Sequence, residues 1–189
     1  MPRFFLVNID CNGYLCYNFP NEFYTELPMS VRKAKRKDLP EILTIYGRAR
    51  EYMKENGNPS QWGNAYPPQD LIEADIASES LFVLDDNDGI YGVFAFFPLG
   101  DECYSFIDGK WLNPYPHAAI HRVASSGTRR GVLKECVDYC LTVSNNLKID
   151  THTDNKIMQH QLVKLGFSEC GKIFLPDGDE RIAFQLYRN

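Results

Sequence analysis

The chain has 189 residues, 44% of them hydrophobic and 24% charged, with a net charge of −5 at pH 7. That length fits one domain able to bury a sizeable core without staples, and the composition is that of an ordinary globular protein. The acidic balance argues against a nucleic-acid partner, which calls for a basic surplus, and no apolar run approaches the ~20 residues that span a bilayer, so neither nucleic acid nor membrane is expected as a partner.

Residues 1–28 stand apart, rich in Asn and aromatics (Phe4, Phe5, Tyr14, Tyr17, Phe19, Phe23, Tyr24) with no helical period. The run from Phe4 to Ile9 reads as a strand that either joins the domain or lies loosely over it. Met29-Ser30-Val31-Arg32-Lys33-Ala34 reads like a protein start leading into a first strand, so we expect an accessory extension over 1–28 and a domain over 29–189. Asp38 can cap a helix with Pro40 and Glu41 in its first turn and Ile42, Leu43, Ile45, Tyr46 and Met53 on its buried stripe, ending near Gly57. A Pro/Gly/Asn-rich loop carrying Trp62 and Tyr66 precedes a second helix from Gln69 to about Ser80. Leu81 to Leu84, the turn signal Asp85-Asp86-Asn87-Asp88-Gly89 and Ile90 to Phe97 spell a hairpin, followed by a loop or irregular insert over 100–116.

The next stretch says the most. Residues 117–125 form an apolar strand that runs into the Ser126-Gly127-Thr128-Arg129-Arg130-Gly131 loop and directly onto an amphipathic helix over 132–145. Unpaired N–H groups and the dipole at such a helix start make a ready anion site, usually for phosphate. By alternation His117, Ala119, His121 and Val123 share one face of the strand. A strand over 147–152 follows, then a helix over 156–165 capped by Asp154 or Asn155 and stopped at Gly166, and two closing strands at about 169–175 and 181–188. Of the six cysteines (Cys11, Cys16, Cys103, Cys136, Cys140, Cys170) none forms a C-x-x-C pair, and no Cys/His spacing reads as a zinc site. No metal is expected, and the thiols read as buried and free in a reducing, cytoplasmic setting.

The order β-α-α-β-β-β-α-β-α-β-β is a mixed α/β (α+β) arrangement that resembles the GCN5-related N-acetyltransferase (GNAT) family over about residues 29–189. That family follows its fourth strand with a Val, a spacer and Arg/Gln-x-x-Gly-x-Gly/Ala. From Val123 the six positions fall on Thr128, Arg129, Arg130, Gly131, Val132 and Leu133, and only Gly131 matches. The Asp154-Asn155 helix start and the Leu165-Gly166-Phe167 end match better, as does the pairing of His121-Arg122-Val123-Ala124-Ser125 with Asp150-Thr151-His152-Thr153-Asp154-Asn155.

The resemblance implies a central, mostly antiparallel sheet flanked by helices, acetyl-CoA as acyl donor, and transfer to a primary amine of a small molecule or peptide. It implies that the pyrophosphate sits on the amides of Ser126, Gly127, Thr128, Arg129, Arg130, Gly131 and Val132, that Val123, Ser125 and Asn155 hold the pantetheine arm, and that the protein is a homodimer. Arg129 and Arg130 either pair with phosphate or point into solvent. The family's usual Tyr acid is absent, its register reading Gln161-Leu162-Val163. His121 is the favoured base among His117, His121 and His152, against the simpler reading of a satisfied buried histidine. Trp62 is the aromatic expected to touch the acceptor, with Tyr66, Phe96, Tyr104 and Trp111 as further candidate walls. The competing reading is a GNAT-fold sensor or interaction module that holds CoA without turnover.

Overall fold

The computed structural model describes residues 31–189 together with two short strands, β1 (Val7–Ile9) and β2 (Leu15–Tyr17), which pair antiparallel in a sheet of their own. The rest of the expected extension over 1–28 lies outside the described residues. β3 (Val31–Lys33) and a 3-10 turn at Arg36–Asp38 lead into α1 (Leu39–Glu55) and α2 (Gln69–Ala77). The hairpin β4 (Leu81–Asp86) and β5 (Gly89–Phe97), a short β6 (Asp108–Gly109) and β7 (Ala118–Ser125) come next. The chain closes with α3 (Val132–Leu141), β8 (Asn146–Thr151), α4 (Lys156–Lys164), β9 (Ser168–Phe174) and β10 (Glu180–Tyr187).

Strands β3-β4-β5-β7-β8-β10-β9-β6 form one eight-stranded sheet. Every neighbouring pair is antiparallel except β7 and β8, which the α3 crossover makes parallel. The expected mixed, mostly antiparallel sheet flanked by helices is the one observed.

The helices cover both faces. On one, Ile42, Ile45, Tyr46, Ala49 and Ile72 pack against Leu81, Val83, Val93 and Ala95. On the other, Leu133, Cys136, Val137 and Cys140 repeat at the helical 3–4 spacing and join Leu162 over Phe82, Phe94, Phe96, Ala118 and Ile120. Leu81 to Leu84 of β4 are therefore all buried, on alternate faces. Each such side chain withdrawn from water contributes about 1.5–3 kcal/mol. Cys136 and Cys140 are buried free thiols, as expected. Among the described residues no helix is long and apolar enough to cross a membrane.

Three local expectations are corrected. Asp38 holds the expected N-cap position of α1, but its side chain makes no cap hydrogen bond to that helix. Its carboxylate instead accepts the Lys35 amide at 2.8 Å and pairs with Arg32 at 2.7 Å, closing the 3-10 turn. The insert over 100–116 contains a 3-10 turn at Glu102–Tyr104 and β6, which adds an edge strand to β9. In β7 a bulge sets Arg122 and Val123 against Phe94 alone, since Val93 pairs with Ala124 and Ala95 with His121. Arg122 adopts φ +52, and the Tyr46 hydroxyl donates to its carbonyl at 3.1 Å. The extra residue reverses the alternation. Val123 therefore turns to the α3 face while Ala119 packs with Tyr104 on the other.

Candidate active site

β7 and β8 pair only at Ala118–Leu147, Ala119–Lys148 and Ile120–Ile149, although they continue to Ser125 and Thr151. Beyond Ile120 they diverge. The gap opens into a cleft of about 670 Å³, lined by Val123 to Gly127, Arg129 to Leu133, α1 residues including Tyr52 and Met53, and Asn155, Met158 and Gln161 of α4. Of the predicted cofactor residues, Val123, Ser125, Ser126, Gly127, Arg129, Arg130, Gly131, Val132 and Asn155 line it and Thr128 does not.

The amides of the loop fall into two sets. Ser126 N–H donates to the Tyr91 carbonyl at 3.0 Å, and the Gly127 and Thr128 amides donate to the hydroxyls of Ser125 (3.1 Å) and Ser126 (3.3 Å). From Arg129 to Leu133 the amides have no acceptor among the described residues. The run of unpaired amides thus begins three residues later than the expected run from Ser126. Gly131, at φ +86, is the residue that turns the loop into α3; a side chain there would force the left-handed region that only Gly visits freely. Arg129 is committed elsewhere, 2.6 Å from Asp86 and stacked over the Tyr91 ring. Arg130 lines the cleft with no ion pair or hydrogen bond among the described residues. Asn155 is the α4 cap, accepting the Met158 amide at 3.1 Å, and its NH2 group donates to Gln61 at 3.0 Å.

Behind β7 lies a second cleft of about 550 Å³, lined by Tyr66, Asp101, Glu102, Cys103, Phe106, His121, Arg122 and Phe174 among others. His121 stands at its base. Nε2 is 3.3 Å from Asp101 Oδ2 and Nδ1 is 3.6 Å from Asp150 Oδ1. The ring stacks on Tyr104, whose hydroxyl donates to Asp150 Oδ1 at 2.7 Å. The His121 imidazole, then the Cys103 amide, holds the Asp101 carboxyl well below the usual range, overcoming its partial burial. Arg122 reaches Asp75 of α2 at 2.7 Å and lies over Phe97. Burial pushes the Asp75 carboxyl up, and Arg122 opposes the shift. The two clefts are separated by β7 itself: Val123 and Ala124 face the first, His121 and Arg122 the second.

Of the other sequence candidates, all but Tyr66 fall outside both clefts. Trp62, expected to touch an acceptor, is only 8% exposed and packs edge-on against Tyr46 at 5.6 Å, inside the core. Phe96 is likewise core. Tyr104 and Trp111 pack on one another and cover Lys148, whose ammonium lies 3.7 Å from the Trp111 ring centre; burial lowers the Lys148 pKa to about 8. Of the proposed walls only Tyr66 lines the second cleft. His117 is part-buried with Nε2 unpartnered, and burial lowers its pKa to about 4. His152 Nδ1 accepts the Asp154 amide at 3.2 Å, and His160 is exposed. Sequence reasoning missed Asp101, Asp150 and the Arg122–Asp75 pair. Arg122 and Asp150 stood in the runs that carry the family resemblance but without a role of their own, and Asp101 lies in an insert with no period.

No family model matches the sequence, and no curated protein matches it at a significant level. Solved structures do. A GNAT-family acetyltransferase from Streptococcus agalactiae is 28% identical at a TM-score of 0.75, the alignment covering 84% of this chain and 95% of that one. A Staphylococcus aureus Mu50 protein assigned as an acetyltransferase is 29% identical at a TM-score of 0.62, covering 83% and 97%. A Salmonella typhimurium protein solved with acetyl-CoA as its cofactor shares the fold at 14% identity and a TM-score of 0.55, covering 84% and 93%.

Proposed function

Because the chain belongs to the GNAT family of acyltransferases, we propose that it transfers an acetyl group from acetyl-CoA to a primary amine of a small molecule or peptide. The observation that carries this reading is the pair of clefts on either side of β7 at its bulge. One has free helix-start amides and an unengaged arginine, the other a carboxylate-flanked imidazole.

The residues of the first cleft fit acetyl-CoA. The free amides of Arg129 to Leu133 and the Arg130 guanidinium suit a pyrophosphate, and the unpaired edge of β7 at Val123 to Ser125 offers backbone partners to an amide-bearing arm. The cofactor supplies an activated thioester carbonyl when bound. The rest of the chemistry belongs to the protein. Asp101 and Glu102 at the second cleft favour entry of a cationic ammonium. His121 Nε2 takes a proton from that ammonium, because only the neutral amine is a nucleophile. Asp150, fixed by Tyr104, orients the ring and stabilises the imidazolium formed. The family's usual tyrosine acid has no counterpart at its register, Gln161-Leu162-Val163, and a thiolate with an intrinsic pKa near 8.5 leaves without one.

Calorimetry with acetyl-CoA, followed by mass spectrometry of primary amines incubated with the pair, tests this. Micromolar binding and a 42-Da gain (roughly one acetyl for one hydrogen) on an amine support it. Binding without any acetylated product leaves the CoA-holding sensor as the function, and no binding overturns both.

A further inference from the structure

Asp101, Cys103 and His121 meet at the floor of the second cleft, each offering one ligand atom, with the three atoms within 4.8 Å of one another. We propose that this triad binds a zinc-class divalent cation, and that occupation of the site switches acetyl transfer off. The binding half rests on geometry alone; the switching half rests on His121 acting as the base.

The donor set is the first argument. One thiolate, one imidazole and one carboxylate form a zinc-type combination, and three protein ligands with an open fourth position are the pattern of an accessible rather than closed site. Spacing is the second. With zinc–nitrogen and zinc–oxygen bonds of about 2.0–2.1 Å, a tetrahedral edge is about 3.3 Å; His121 Nε2 and Asp101 Oδ2 are 3.3 Å apart. Yet Nε2 is buried with no hydrogen-bond partner. The two atoms therefore sit at the separation of co-ligands without the alignment of a donor and its acceptor.

The third argument is the support behind each ligand. Nδ1 of His121 faces Asp150, which Tyr104 holds at 2.7 Å. A carboxylate behind a metal-binding histidine fixes its tautomer and ring plane. Asp101 is held by the Cys103 amide at 2.9 Å, so one short turn presents both the carboxylate and the thiol. All three side chains line the 550 Å³ cleft, which gives the ion an entry path and leaves the fourth position to water or an amine. On binding, the thiol proton passes to solvent and the sulfur lone pair goes to the metal. The imidazole lone pair at Nε2 is engaged in the same event and can no longer take a proton from an ammonium.

The test uses the full chain, stripped of metal with a chelator. Zinc is titrated in competition with a chromophoric chelator, and cobalt(II) is added as a spectroscopic stand-in. We expect one equivalent per chain and a cobalt spectrum with a thiolate-to-metal charge-transfer band. Cys103→Ser should abolish the band and weaken zinc at least tenfold, and Asp101→Asn should weaken it while keeping the band. Near-ultraviolet circular dichroism checks that both variants are folded. Absence of stoichiometric binding, or equal binding in wild type and both variants, overturns the site. For the switch, acetylated amine is measured with and without one equivalent of zinc, each protein against its own zinc-free rate. Loss of product in wild type and not in Cys103→Ser supports it, whereas equal rates with the ion bound overturn it. A wild type inactive without metal sinks the transferase reading and the switch together, while the binding titration still judges the site.

Discussion

The cleft proposed for acetyl-CoA draws most of its lining from one continuous segment, Val123 to Leu133, completed by residues of α1 and α4. The chemistry behind β7 is gathered instead from Asp75, Asp101, His121, Arg122 and Asp150, side chains brought together from four separate stretches. The first cleft is backbone architecture, free amides at a helix start that survive changes of side chain. The second is made of side chains whose positions depend on α2, the insert and two strands at once. A backbone site tolerates an eroded motif, which is why a single matching glycine, Gly131, is enough to form the loop here.

The sharpest way to break this division is His121→Ala. It should lower the rate of transfer by about 10²–10⁴ while leaving the acetyl-CoA dissociation constant within twofold, read by turnover and calorimetry on one preparation. A parallel loss of cofactor affinity would mean that the clefts are not independent. Next in size is the pair that holds the bulge. Arg122 and Asp75 are almost wholly enclosed, with side chains 11% and 8% exposed. Arg122→Met leaves a buried carboxylate without its partner and should cost about 3–5 kcal/mol in urea unfolding. Adding Asp75→Leu should return most of that loss, because the apolar pair removes the stranded charge.

The same contrast decides what was legible in the sequence. Helix starts and stops, the Asp85–Gly89 turn, the Asn155 cap and the Gly166 end are local, and each fell within a few residues of its expected place. So did the strand–loop–helix unit of β7 and α3. The bulge at Arg122 left no local mark, since it depends on Tyr46, 76 residues away, accepting the role of hydroxyl donor, and it defeated the alternation that placed Val123 beside His121. Trp62 sits in a loop by sequence, but Tyr46 gives it a core neighbour. The Asp101–Cys103–His121 cluster has no spacing signal because its members belong to an insert and a strand.

Lys148 offers a pH test of the side-chain-built half. Its ammonium is buried under Trp111, and that burial lowers its pKa to about 8. The unfolded chain keeps this proton to about pH 10.4 and the native chain loses it near pH 8, so between these values the unfolded state binds more protons and stability rises with pH. The gain is on the order of 3 kcal/mol across that window, and below pH 8 the penalty is constant. Denaturant midpoints at pH 7.5 and 9.5 should therefore differ more in wild type than in Lys148→Met. Equal differences would show that the ammonium reaches water freely and that the Trp111 cover is looser than its packing.

The smallest effect separates the two loop arginines. Arg130 lines the cleft unengaged, so Arg130→Ala should weaken acetyl-CoA about tenfold, the loss of one charge-assisted contact to phosphate. Arg129 is already paired with Asp86 at 2.6 Å and stacked on Tyr91, so Arg129→Ala should change affinity less than threefold, within the ordinary scatter of such measurements. Raising the salt concentration should narrow the gap, since the contact is exposed and screened. If instead Arg129→Ala proves the more damaging, the guanidinium leaves Asp86 when cofactor binds. The loop would then be a moving part rather than the rigid backbone cradle on which the contrast between the clefts depends.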